Sequence, residues 1–416
     1  MKKRVVVTGL GTINPLGSTV DETWKGICAG TSGIAEITKF DATHLRTRIA
    51  GELKNFDPLS FLNPKEIRRL DNFIIYALAS SEMALNDSRL VIDKHRAERV
   101  GVFLASGIGG ISTIEKEHEV LLTGGSKKIS PFFIPGALPN LAAGNVAIKF
   151  GAKGPISCPV TACSAGNNAI GEAYRTITFG YADVMIAGGV EAAITPIAIA
   201  GFNAMRALST RNDDPQRASR PFDRDRDGFV MAEGCGVVIL EEMNHALRRG
   251  ASIYAEVAGY GLTCDAYHVA APPPGHPGAE RCMRLALEDA CFEAARIDYI
   301  NAHGTATHLN DEYELEAIQR VFGNGDREPA VSSTKSMTGH LLGAAGGVEA
   351  IISIKSIVDG VIPPTTNLDN PIEARGINLV PHTMQKGDIH AVMSNAFGFG
   401  GVNTAVIYKK FETQEI

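Results

Sequence analysis

The feature that most constrains this chain is a recurrence of short runs in which nearly every residue is apolar or small, at 100–104, 182–187, 236–240, 253–257, 297–300 and 404–407. A strand with one wet face alternates apolar and polar residues, whereas a run without alternation has to be covered on both faces. Between some of these runs lie stretches with apolar residues recurring at three and four, at 166–179 and 347–358, the spacing of a helix. Strands alternating with helices make parallel βαβ units, so the expected class is α/β. The 44 glycines and the aromatic content of only 6% agree, because small residues let helices lie close on a sheet. At 416 residues the chain has room for two domains or one duplicated fold.

A weak internal echo favours duplication. Arg4-Val5-Val6-Val7-Thr8-Gly9-Leu10-Gly11 opens the first part, and Ile253-Tyr254-Ala255-Glu256-Val257-Ala258-Gly259-Tyr260-Gly261 opens a second; each reads as a strand ending in GxG. Cys163-Ser164-Ala165-Gly166 precedes one helical pattern, and Gly343-Ala344-Ala345-Gly346 precedes another. Two similar halves, 1–250 and 251–411, are the expectation. The first GxG is not a dinucleotide fingerprint: the third glycine is missing, and no acidic residue ends a clear second strand to hold a ribose. A tight strand-to-loop turn is the reading adopted for it.

The net charge of -6 and a pI near 6.0 argue against a general affinity for nucleic acid or anionic membrane, so any basic site has to be local. No stretch approaches ~18 uninterrupted apolar residues, and Met1-Lys2-Lys3-Arg4 leads straight into a strand pattern without a signal-peptide core. A cytoplasmic chain without a membrane anchor is expected. The seven cysteines form no CxxC pair and no zinc-type spacing, so neither a disulfide nor a zinc framework is expected, and most should be small buried apolar residues.

Cys163 escapes that reading. Pro159-Val160-Thr161-Ala162-Cys163-Ser164-Ala165-Gly166 runs through small residues into a helical pattern, which places the thiol at a helix N-terminus and favours thiolate. Small neighbours allow a sharp turn that exposes a nucleophile. Acyl transfer also needs proton handling and oxyanion stabilisation. Asn301-Ala302-His303-Gly304-Thr305-Ala306-Thr307 and Ser332-Ser333-Thr334-Lys335-Ser336-Met337-Thr338-Gly339-His340 offer histidines beside glycine. Ser394-Asn395-Ala396-Phe397-Gly398-Phe399-Gly400-Gly401-Val402-Asn403 offers glycines where backbone could approach a carbonyl oxygen, or simply a turn between strands.

At these four segments the chain resembles the elongating β-ketoacyl-acyl-carrier-protein synthases, members of the thiolase-like condensing enzymes, over residues 3 to 410. Ala207-Leu208-Ser209-Thr210-Arg211-Asn212, Arg220-Pro221-Phe222-Asp223, Asp265-Ala266-Tyr267-His268 and Pro363-Pro364-Thr365-Thr366-Asn367-Leu368 match in the family's order. The resemblance implies a thiolase-like fold, two similar βαβαβαββ halves in five layers, α-β-α-β-α. The first half would carry the nucleophile and the second the histidines.

It also implies decarboxylative Claisen condensation of malonyl-acyl carrier protein with a Cys163-bound acyl chain, giving 3-oxoacyl-acyl carrier protein in fatty acid elongation. Phosphopantetheine would arrive on the carrier protein, so no bound cofactor is implied. His303 and His340 would hydrogen-bond the malonyl thioester oxygen, and the backbone N–H groups of Cys163 and Phe399 would stabilise the acyl-transfer intermediate. Lys335 would support this site, with Glu349 as charge partner. Phe399 resembles a gating aromatic, Thr305 and Thr307 hydroxyl partners of the pantetheine amides, and Ile108 a bulky acyl-pocket residue of the synthase II branch. Phe202 and Gly400 would also meet substrate. Lys65, Arg68 and Arg69, at helical spacing after Pro64, together with Lys127, Lys128 and Arg206, would dock the acidic carrier protein. A structural cation near Asn301, Glu349 and Asn395 follows by the same analogy, without a metal-ligand signature in the sequence.

His308, Glu312, Ala270 and Val402 depart from the family's usual proline, lysine and two threonines, which bears on substrate more than on reaction. The chief rival is the ketosynthase of a type II polyketide synthase, a heterodimer with a chain-length factor instead of a homodimer. A thiolase would want a second cysteine near the C-terminal glycine loop, a starter-type synthase asparagine in place of the second histidine, and a non-catalytic chain-length factor no Cys163.

Overall fold

The computed structural model describes residues 2–323, 328–374 and 376–412. Ten strands join in one hydrogen-bonded sheet: β1 Val5–Ile13, β2 Val100–Ala105, β3 Ile156–Ser157, β4 Val184–Glu191, β5 Gly234–Glu242, β6 Ala255–Cys264, β7 Tyr299–Asn301, β8 Ala330–Ser332, β9 Ala391–Gly398 and β10 Val402–Lys409. Their order is β8-β7-β9-β10-β6-β1-β5-β4-β2-β3. From the central β1–β6 junction outward, each half reads first, fifth, fourth, second and third strand. The first two pairings are antiparallel and the next two parallel in both halves. The halves meet where Val5, Val6 and Val7 pair with Val257, Glu256 and Ala255.

Six helices build the layers: α1 Asn72–Ser88, α2 Leu141–Phe150, α3 Ala165–Thr178, α4 Pro277–Ala290, α5 His308–Phe322 and α6 Ala345–Asp359. α1 and α2 cover the outer face of the first half, while α4, backed by α5, covers that of the second. α3 and α6 lie between the halves and touch strands of both, which completes the five layers. Strands covered in this way have to be apolar on both faces, and β1, β4 and β5 are buried along their whole length.

The two GxG sequences do not make turns. β1 runs through Gly9-Leu10-Gly11 to Ile13, with a register shift between Val7 and Gly9, and β6 runs through Gly259-Tyr260-Gly261. A Cβ on Gly9 or Gly11 would come within 2.2 or 2.1 Å of the carbonyl oxygens of Ala84 and Ser80 on α1. On Gly259 or Gly261 it would come within 2.3 or 2.0 Å of the Ala286 and Cys282 oxygens on α4. The repeated glycines let a helix backbone lie directly on a strand, in the same way in each half.

The middle helices start alike. Each follows a 3-10 turn, Ala162–Ser164 or Leu342–Ala344, whose first residue is left-handed, with φ 49 at Ala162 and φ 50 at Leu342. Cys163 and Gly343 therefore occupy equivalent places. The two starts pack back to back: a Cβ on Gly346 would meet the backbone nitrogen of Asn167 at 2.3 Å.

All seven cysteines are free, yet only Cys235 and Cys282 are buried; Cys264 and Cys291 are exposed at element ends, and the others are half-buried. The close helix-on-strand contact yields a test. Gly11→Ala should cost about 2 kcal/mol or more through overpacking, read as a lower urea midpoint with an unchanged slope; an unchanged midpoint would contradict the contact.

Candidate active site

Cys163 sits in the 3-10 turn immediately before α3. The strained Ala162 lifts it out of the helix, and the end of β9 closes on the same turn. A Cβ on Gly398 would lie 2.4 Å from the Thr161 oxygen and 3.3 Å from the Ser164 nitrogen. Only glycine lets the β9–β10 hairpin approach this far, and the approach brings the backbone of Phe399 beside that of Cys163.

Burial pushes the Cys163 thiol up to about 12; the Lys335 charge opposes this and Glu191 adds to it. Loss of hydration therefore works against the thiolate that the helix-start position favours, and holds the thiol toward its neutral form.

Cys163, His303 and His340 line one cavity of about 280 Å³, together with Phe202, Arg206, Thr305, Thr307 and Phe399. The imidazoles of His303 and His340 stand edge to face with centroids 5.4 Å apart. Their backbones are pinned from different sides. Glu314 on α5 accepts from the N–H groups of His303 at 2.8 Å and Gly304 at 2.7 Å, while the His340 N–H donates to the Val230 carbonyl at 2.8 Å. Burial, and then the Lys335 charge, hold both imidazoles well below the ordinary histidine range. Both are neutral, so each keeps one N–H donor and one acceptor.

Lys335 is buried and its Nζ pairs with Glu349 on α6. Burial pushes the Glu349 carboxyl up and Lys335 pulls it back. Glu349 Oε2, both side-chain polar atoms of Asn301, Ser394 Oγ and Asn395 Oδ1 are buried without a hydrogen-bond partner among the described residues. Asn301 and Ser394 face each other across β7 and β9. Buried oxygens without a donor are the ligand type a hard cation takes, so the chemistry of Asn301, Glu349 and Asn395 fits the cation that the resemblance implies.

Ile108 lies off the cavity wall; like Cys163 and Phe202 it packs against the apolar cluster that contains Phe229 and Leu342. Gly400 is also off the wall, and its N–H donates to the Val269 carbonyl at 2.8 Å. Thr305 and Thr307 hydroxyls bond each other at 3.0 Å. Phe399 is 37% exposed with its ring 6.4 Å from that of Phe202. Of the six basic residues, Arg206 lines the cavity; Lys65, Arg68, Arg69, Lys127 and Lys128 are exposed and away from it, with Arg69 stacked over Phe132 at 5.0 Å.

Of the four departures, Glu312 has a specific partner. Glu312 accepts from Arg226 at 3.0 Å, and the same guanidinium holds the carbonyls of Thr307 and His308 at 3.1 and 2.7 Å. His308 and Ala270 both line the cavity, whereas Val402 does not.

Sequence reasoning passed over Glu314, Arg226 and His276. His276 is buried in the cavity wall, with Nε2 3.0 Å from Asn403 Oδ1 and its ring 4.7 Å from that of Phe397. Lone charged residues in helical or loop patterns read as solvated, and only the fold turns these inward. A neutral thiol makes a prediction: alkylation of Cys163 by a small reagent should still accelerate above pH 9.0, the ordinary thiol value; a plateau near neutral pH would contradict it.

Comparison with known proteins agrees with this geometry. Residues 2–246 match the family model "Beta-ketoacyl synthase, N-terminal domain" and residues 254–369 "Beta-ketoacyl synthase, C-terminal domain". A Synechocystis protein named 3-oxoacyl-[acyl-carrier-protein] synthase 2 is 50% identical over 411 residues, 99% of either chain. The crystal structure of a beta-ketoacyl synthase from Burkholderia phymatum superposes with a TM-score of 0.92 at 36% identity, covering 99% of this chain and 100% of that one. The ishigamide ketosynthase/chain length factor gives 0.92 at 34%, with the same coverage. The two models together match residues 2–246 and 254–369, and the relatives cover nearly the whole length; the chain belongs to the beta-ketoacyl synthase family.

Proposed function

We propose that the chain is an elongating 3-oxoacyl-acyl carrier protein synthase of fatty acid synthesis, with Cys163 as the acyl acceptor and His303 and His340 as the decarboxylation pair. The observation that carries this is the convergence of one thiol and two neutral imidazoles on one cavity. The greater identity to a synthase 2 than to a ketosynthase with a chain-length factor supports the fatty acid reading over the polyketide one.

In the first half-reaction, Cys163 sulfur attacks the thioester carbonyl of an acyl chain delivered on phosphopantetheine. The backbone N–H groups of Cys163 and Phe399 receive the developing oxyanion, the thiol proton passes to the departing pantetheine sulfur, and the free carrier protein leaves. In the second, malonyl carrier protein enters with its thioester oxygen toward His303 and His340. Loss of CO₂ places negative charge on that oxygen, where neutral N–H donors and the nearby Lys335 charge stabilise it. The enolate carbon then attacks the Cys163 thioester, the C–S bond breaks, the Cys163 sulfur leaves as a thiolate that takes up one proton from solvent, and a 3-oxoacyl chain two carbons longer departs on the carrier. No resident cofactor enters the scheme; a cation at Asn301, Glu349, Ser394 and Asn395 would fix the position of the Lys335 partner.

Arg206 at the cavity rim is the nearest proposed contact for the acidic carrier protein, with the two other basic clusters as outlying ones. A second copy is the proposed partner. β3 is a free sheet edge, flanked by exposed Ile156 and Val160, and the same half exposes Leu121, Leu122, Ile134 and Leu138. Among the described residues no helix is long and apolar enough to cross a membrane, and a cytoplasmic site of action is part of this proposal.

Removing one donor at such a site typically costs ~3 kcal/mol of barrier. His303→Ala or His340→Ala should therefore lower condensation about a hundredfold or more while some acyl transfer to Cys163 persists. Equal loss of both half-reactions would contradict the division of roles. Native mass spectrometry should give a homodimer active alone; activity only with a homologous partner chain would support the polyketide reading.

A further inference from the structure

Glu191, at the end of β4, is fully buried and plays no part in the scheme above. Four donors converge on its carboxylate. Ser106 Oγ donates at 2.9 Å and the Gly107 N–H at 2.9 Å, the Ile108 N–H reaches it at 3.3 Å, and the Gly343 N–H does so at 3.0 Å. Ser106 Oγ itself accepts from the Gly109 N–H at 2.9 Å, so its proton is free to point at Glu191. Three donors come from the loop after β2. The fourth is the backbone N–H of the residue that occupies, in the second half, the place Cys163 occupies in the first.

The fit leaves no slack. A Cβ on Gly107 or Gly343 would come within 2.9 or 2.8 Å of Glu191 Oε2. Burial pushes the carboxyl up to about 7 and the donors pull it back. Each tied segment supplies an apolar side chain to the cluster around Cys163: Ile108 from the loop, and Leu342, next to Gly343, from the turn before α6.

We propose that Glu191 is a specificity-determining positioning residue: held by donors from both halves, its carboxyl group fixes the loop of Ile108 and the turn of Leu342 in the apolar cluster against which Cys163 packs, and so sets which acyl chains fit behind the thiol. This rests on the assignment of Cys163 as acyl acceptor, which labelling of the unaltered enzyme with a short and a long acyl carrier protein tests separately.

Glu191→Gln keeps the size but turns an amide N–H₂ toward donors. The ratio of acylation kcat/KM for long over short chains should change by about tenfold or more, while decarboxylation of malonyl carrier protein stays within about twofold. An unchanged ratio, or an equal fall in every activity, would overturn the proposal. Ser106→Ala, which removes one donor, should shift the ratio the same way but less, and serves if the first variant does not fold; no shift from it would equally overturn the proposal. In an Ile108→Ala background the Glu191 change should add little, whereas full additivity would show that Glu191 does not act through Ile108.

Discussion

Burying an ammonium group costs several kcal/mol unless a partner meets it, and Lys335 meets Glu349 between the two halves of the sheet. The pair needs an anchor on each side: Lys335 in the short turn that leads to His340, and Glu349 on α6. The charge held there acts on everything near it. It disfavours protonation of His303 and His340 and opposes the desolvation that keeps Cys163 a thiol. The proposed reaction builds negative charge twice, on an acyl oxyanion and on an enolate, and the site offers it a positive charge fixed beforehand and two imidazoles held toward the neutral form.

That arrangement depends on how closely the halves approach. α3 and α6 begin back to back at Gly166 and Gly346, and the β9–β10 hairpin reaches the Cys163 turn through Gly398. A side chain at any of these places would push apart backbones that have to supply N–H groups and side chains to one small volume. The duplication makes the geometry and also breaks it. Equivalent turns place a thiol in one half and a glycine in the other, and only the second half contributes the histidines. The glycine turn is occupied instead by Glu191, a carboxylate from the first half.

Much of this was legible in the sequence, for physical reasons. Apolar runs without alternation announced strands covered on both faces, and each of the six runs singled out overlaps a strand of the sheet, three of them starting two residues early. The GxG echo marked the duplication even though it was misread as a turn: a glycine demanded by a helix lying on a strand looks, in one dimension, like a glycine demanded by a bend. Cys163 stood out through its small neighbours. Its desolvation did not, because helix position is written locally while burial comes from residues distant in sequence, Phe202 and Phe229 in the same half and His303 and His340 in the other. Glu191, Glu314 and Arg226 were invisible for the same reason. A lone carboxylate or guanidinium carries no mark of burial until the fold supplies its donors and acceptors.

The central claim is that Cys163 carries the acyl chain between the two half-reactions. Mass spectrometry of the protein after mixing with an acyl carrier protein, followed by peptide mapping, tests it directly. The account predicts one acyl mass on the Cys163 peptide, discharged when malonyl carrier protein is added, with a product two carbons longer. An adduct elsewhere, an adduct that survives malonyl addition, or condensation by a Cys163→Ala protein would contradict it.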